Sequence, residues 1–112
     1  MSKSHVLKGM ICVLALIFTT VLYGATPDTD RQKVLMHLLK QDCGSCHGLT
    51  MQGGLGPALT PQALRDKPRD AMVATILYGR PGTPMPPWEN QLTEAEATWM
   101  MENLYRGLPN AD

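Results

Sequence analysis

The segment Cys43-Gly44-Ser45-Cys46-His47 constrains this chain more than any other. Two thiols and an imidazole within five residues are the attachment set for a c-type haem. Each thiol forms a thioether to a porphyrin vinyl group, and the histidine that follows ligates iron. The two-residue gap lets both sulfurs reach neighbouring pyrrole edges while the next side chain points at the metal. Zinc would need a second Cys or His pair at ligand spacing, and beyond residue 24 the chain offers only His37 besides the motif. A redox-active C-x-x-C needs a βαβ setting, and no strand pattern flanks this one. The motif implies a chain folded around one haem c, with Cys43 and Cys46 attached covalently and His47 as the proximal iron ligand.

The N-terminus carries Lys3 and Lys8 with no acid, and residues 10–22 are an uninterrupted uncharged run. This is the pattern of a secretory signal peptide, too short for a comfortable membrane span. Gly24 and Ala25 place the expected cleavage there, giving a leader over 1–24 and one domain over 25–112. Leu22 or Tyr23 falls where a small residue is usual, so a retained anchor is the alternative. Cys12 goes with the leader, which leaves Cys43 and Cys46 as the cysteines of the mature domain. The expected compartment is the periplasm, where bacterial haem attachment occurs. So small a domain buries little apolar surface without a staple, and a covalent haem supplies one. From residue 25 onward there are eight basic and ten acidic side chains. No basic stripe points to nucleic acid or anionic lipid.

Hydrophobic spacing is helical. Val34, Leu35, Leu38 and Leu39 share a stripe over residues 30–46 that runs into the motif. Residues 48–56 form a glycine-rich loop. Thr60-Pro61 starts a short helix to about Arg65. Pro68 opens another, carrying Met72, Val73, Ile76 and Leu77 and ending at Gly79. Four prolines and a glycine break residues 80–88. Thr93-Glu94-Ala95-Glu96 is a capping box for a last helix ending near Gly107, with Ala97, Met100, Met101 and Leu104 inward. The expected fold is all-α: four to five short helices around one haem, the terminal helices crossing.

A second axial ligand must come from elsewhere in the chain. Met36, Met72, Met100 and Met101 lie on helices among apolar neighbours, where filling gaps is the simpler role. Met51 follows His47 too closely to reach the opposite haem face. Met85 sits in a proline-braced loop, and proline lowers the entropy of that loop before any ligand binds. Met85 is the expected distal ligand, with His37 the weaker alternative.

On Cys43-x-x-Cys46-His47-Gly48, on Gly56-Pro57-Ala58-Leu59 and on Met85-Pro86 before a last amphipathic helix, the chain resembles the class I c-type cytochromes. The resemblance implies that the Pro57 carbonyl accepts the proton of the proximal histidine's other nitrogen, which sets ring orientation and ligand basicity. Where the family's last helix often carries an aromatic before its final leucine, this chain has Asn103, with Trp99 and Tyr105 nearby. Residues 76–88 are similar to the haem c segment of the cytochrome cd1 nitrite reductase group and to small accessory cytochromes of denitrification. That implies electron transfer by transient docking with cytochrome cd1 nitrite reductase, with the haem d1 dehydrogenase, or with both. In that segment Trp88 is a candidate to hydrogen-bond a haem propionate or shield the haem edge, with core packing as the alternative. Arg80 is a candidate propionate partner, with a solvated arginine as the alternative.

His/Met ligation fills both axial positions with protein, which suits a carrier and leaves no open site for substrate. The segments 48–57 and 79–87, uncharged but for Arg80, then form an expected apolar docking patch rimmed by Arg80 and Glu89. A monomeric one-electron carrier with no enzyme activity is the leading expectation. A generic respiratory cytochrome and a gas-responsive protein with a displaceable Met85 are the alternatives. Direct action on haem d1 lacks an acid/base pair to support it.

Overall fold

A computed structural model of the protein describes residues 26–109; the leader expected over 1–24 lies outside that range. The regular structure of the described residues is helical throughout. Helix α1 (Thr29–Leu38) is capped by Asp28, whose carboxylate accepts from Arg31 N at 2.9 Å. It continues without a break through a π turn (Leu39–Cys43) into α2 (Gly44–His47). Helix α3 (Pro61–Leu64) has Pro at its first position, and the Thr60 hydroxyl accepts from Ala63 N at 3.2 Å. Helix α4 (Arg69–Tyr78) stops at Gly79. Helix α5 (Glu94–Arg106) has the full capping box and stops at Gly107. Each element falls where the helix signals placed it.

Two features depart from that reading: Val34, placed on the apolar stripe with Leu35, is exposed, and a π turn interrupts the α-helix before the motif. An uninterrupted α-helix would put Cys43 and Cys46 on the stripe of Leu35 and Leu39, four and seven residues on. A π turn absorbs one extra residue and shifts that phase. Leu35 and Leu39 are thus fully buried while Cys43 is half-buried and Cys46 exposed. The bulge leaves Cys43 at the edge of the core and Cys46 outside it.

The core is built from α1, α4 and α5. Ala97, Met100, Met101 and Leu104 of α5 pack with Leu35, Leu39, Leu64, Val73, Leu77 and Leu92. Two polar clamps fix the helices around it. Glu96 uses Oε2 to accept from Thr93 N at 2.9 Å, closing the capping box, and Oε1 to accept from Arg31 Nε at 2.6 Å. One carboxylate therefore starts α5 and ties it to α1. Arg69 pairs with Glu102 and lies 4.2 Å over the Tyr105 ring, whose hydroxyl donates to Lys67 O at 2.7 Å. This second clamp joins the start of α4 to α5. Asn103 donates to Trp99 O at 2.8 Å, and Trp99 and Tyr105 pack against the core. No helix among the described residues is long and apolar enough to cross a membrane.

The Glu96 carboxyl is held below its ordinary value of 4.5, chiefly by the hydrogen bond from Arg31. Folded protein therefore binds fewer protons there than unfolded protein. The stability this contributes is complete above pH 4.5 and is lost as pH falls through the lower folded value. Glu96→Ala should cost about 1–2 kcal/mol at neutral pH, from the cap and the helix tie together. In denaturant titrations the gap between parent and variant should narrow as pH drops below 4.5. A gap that does not change with pH would contradict the assignment.

Candidate functional site

The end of α2 presents the motif. Cys43 and Cys46 are three residues apart on a helix, hence on one face, and they are free thiols. Burial pushes the Cys43 thiol up to about 11, and the neighbouring Asp42 carboxylate adds to the shift. It is a neutral thiol against apolar surroundings.

The carbonyls that α2 leaves unpaired are met by the loop that follows it. Gly53 N donates to His47 O at 2.8 Å, and Gly56 N donates to Cys46 O at 2.9 Å. Gly48 (φ +90°) makes the reversal, and an added Cβ there would lie 2.9 Å from Gly53 O. The loop thereby wraps back over the histidine. His47 Nδ1 lies 2.7 Å from Pro57 O, so Nδ1 carries the proton and Nε2 is left with its lone pair for a metal. Gly56 lies flat against the ring: a Cβ there would sit 2.7 Å from His47 Cε1 and 2.8 Å from Nδ1. The ring is held by a hydrogen bond at one nitrogen and by backbone packed against its side.

Met51 anchors this loop from below. It takes a left-handed conformation (φ 59°), which costs a non-glycine residue about 1 kcal/mol or more. Its side chain is buried in the core, and its carbonyl accepts from Leu59 N at 2.8 Å. Met51 is thus structural. Met100 and Met101 are buried as gap-fillers, and Met36 and Met72 pack against the core from its edge.

Met85 occupies a different setting. It is half-buried in the loop between α4 and α5. Its carbonyl accepts from Arg80 N at 3.1 Å and its N–H donates to Thr83 Oγ1 at 3.3 Å. Trp88 N and Glu89 N both donate to Leu77 O at 3.0 Å, fastening the far end of the loop to α4. Gly79 (φ +69°) lets the loop cross the helix end: a Cβ there would fall 2.7 Å from Met85 O. Trp88 packs against the core cluster, the role that sequence left beside a haem contact. Arg80 is exposed, and among the described residues its guanidinium forms no ion pair. His37 is also exposed, on α1.

The donor set fits a covalently held haem. It offers two unpaired thiols on one helical face and an imidazole presenting Nε2. The braced thioether of Met85 lies on a separate loop. The sequence did not signal the π turn, the left-handed Met51 or the contact between Gly56 and His47. The first two depend on packing across the core. The third had one visible cue, the glycine directly before Pro57.

The family model for the cbb3-type cytochrome c oxidase subunit III cytochrome domain matches residues 30–102. Cytochrome c55X of Pseudomonas aeruginosa is 59% identical over 97 residues, covering 84% of this chain and 82% of that protein. The solved structure of the c-type cytochrome NirC superposes with a TM-score of 0.70 at 61% identity, covering 71% of this chain and 94% of that one. Dihydro-heme d1 dehydrogenase of Pseudomonas aeruginosa is 42% identical over 73 residues, covering 64% of this chain but 15% of that larger protein.

Gly56→Ala should cost about 1–3 kcal/mol in denaturant unfolding, because its methyl has no room beside the ring. Gly82 has φ +80° but nothing within 4 Å of an added Cβ. Gly82→Ala should therefore show only the conformational cost, about 1 kcal/mol. Equal losses at the two positions would contradict the contact between Gly56 and His47.

Proposed function

This chain belongs to the class I c-type cytochromes, in the cytochrome c55X group, and we propose that it is a periplasmic one-electron carrier of denitrification holding one covalent haem c. In this reading residues 1–24 are a cleaved leader and 25–112 the mature domain. Cys43 and Cys46 hold the porphyrin, His47 Nε2 is the proximal ligand and Met85 the distal one. The observation that carries the ligand assignment is the 2.7 Å contact of His47 Nδ1 with Pro57 O. It commits one ring nitrogen to the protein and leaves the other for iron.

When bound, the haem supplies a reversible one-electron couple. The protein's part is to keep the two axial donors in place in both oxidation states. Pro57 keeps the imidazole oriented and electron-rich by accepting its Nδ1 proton. The braced loop presents the Met85 thioether, a ligand that raises the reduction potential. With His47 and Met85 holding the group, the protein would pass electrons and would have no catalytic step of its own.

The docking surface lies beside the motif. Leu55 is 91% exposed and Leu49 71% exposed on the glycine-rich loop, and segments 48–57 and 79–87 carry no charge but Arg80. Transient redox partners meet over small patches of this kind. Trp88 is a candidate shield of the haem edge and Arg80 a candidate partner for a propionate. Support for the partners comes from the similarity to cytochrome c55X and to the dihydro-heme d1 dehydrogenase. Cytochrome cd1 nitrite reductase and the haem d1 dehydrogenase are the two proposed, with this chain acting as a monomer.

Reduced protein mixed anaerobically with oxidised cytochrome cd1 nitrite reductase and nitrite should be reoxidised rapidly and catalytically, followed at the haem c absorbance. Electron acceptance from the haem d1 dehydrogenase without that reoxidation would place the chain in cofactor maturation. Failure with both partners would leave a general respiratory carrier. Carbon monoxide should not bind the reduced protein readily near neutral pH; ready binding would favour a gas-responsive role.

A further inference from the structure

We propose that the Thr83 hydroxyl is the positioning group that holds Met85 in place as an axial ligand; the inference rests on the reading of Met85 given above. The backbone of this loop is short of donors. Pro84, Pro86 and Pro87 have no N–H, so between Thr83 and Trp88 the single backbone donor is that of Met85. Its partner is Thr83 Oγ1, at 3.3 Å. The same hydroxyl donates onward to Arg80 O at 2.7 Å, and Arg80 N returns a bond to Met85 O at 3.1 Å.

These contacts close a ring: Met85 N–H to Thr83 Oγ1, Thr83 O–H to Arg80 O, Arg80 N–H to Met85 O. The methionine backbone is thus gripped at both its donor and its acceptor. Every link is main chain except the hydroxyl. The prolines fix their own φ and push Thr83 and Met85, each of which precedes a proline, toward extended ψ. They leave φ of Met85 unfixed, and Gly82 (φ +80°) at the loop tip has nothing within 4 Å of an added Cβ. Thr83 ties that tip down. The proline run lowers the entropy of the loop, and the hydroxyl selects one of the remaining conformers. A thioether is a weak donor, so its hold on iron depends on how often the loop presents it.

Thr83 is exposed, so its replacement opens no core cavity. Thr83→Val keeps the branched shape and backbone preference but removes the hydroxyl; Thr83→Ser keeps the hydroxyl. All are made in the mature holo-protein. In ferric protein, Thr83→Val should raise the apparent affinity for added imidazole about tenfold, the yield of roughly one lost hydrogen bond in holding Met85. It should also weaken the sulfur-to-iron charge-transfer band and speed amide exchange at Met85. Thr83→Ser should return all three close to the parent.

Parent-like imidazole affinity and band in Thr83→Val would overturn the role of the hydroxyl, provided Met85→Ala loses the band. Failure of Thr83→Ser to restore them would assign the effect to the methyl group and also overturn it. A band that survives in Met85→Ala would remove Met85 as the ligand, and the inference with it.

Discussion

The contact between His47 Nδ1 and Pro57 O, 2.7 Å long, is the constraint around which the rest of the site is arranged. As a hydrogen bond it contributes about 1 kcal/mol to stability, but its geometric demands are larger. Pro57 must return to the end of α2 within ten residues of His47. The chain meets that demand with a loop of close approaches. Gly48 reverses direction, the amides of Gly53 and Gly56 cap α2, and Gly56 leaves the ring its space. Met51 accepts a strained conformation because its side chain is repaid by burial in the core.

The Met85 loop is held by different means. The glycine-rich segment is fixed by backbone bonds to α2, whereas segment 79–88 is fixed by proline and by bonds to the C-terminal end of α4. Between them stands a helical core whose elements cannot slide: Arg31 with Glu96 joins α1 to α5, and Arg69 with Glu102 and Tyr105 joins α4 to α5. Because α1 leads into the motif and α4 leads into the Met85 loop, α5 sets how the two loops stand to each other. The terminal-helix crossing thereby fixes how His47 and Met85, the proposed ligands, stand to each other. Under the proposed ligation, such a frame would suit electron transfer, since donors already in place would need little rearrangement when the charge on iron changes.

Much of this was legible in the sequence, because the signals are local. Thr60-Pro61, Thr93 with Glu96, and the glycines at 79 and 107 mark helix ends through their own backbone and side-chain chemistry, and the structure has its helix ends there. The stripe Ala97, Met100, Met101 and Leu104 marks a buried face by period alone. What was not legible depends on partners far away in the chain. The π turn keeps Leu35 and Leu39 buried while Cys43 lies at the edge of the core and Cys46 outside it, a change of phase invisible along one helix. Met51 resembled any loop methionine until the core beneath it was known. Arg31 and Glu96 are 65 residues apart, and nothing local pairs them. Thr83 lay in plain view within the proline run, yet its hydroxyl gains meaning only once the Met85 N–H is seen to find its acceptor there.

The measurement that bears most directly on the site is proton NMR of the reduced, diamagnetic holo-protein, with assignment of the axial residues. The methyl of Met85 should appear strongly upfield, over the face of the haem ring. The Nδ1 proton of His47 should be observable and slow to exchange, protected by its bond to Pro57. An upfield methyl belonging to Met51 or to another methionine, or a His47 Nδ1 proton lost to rapid exchange, would contradict the ligand set and the arrangement of the two loops around it.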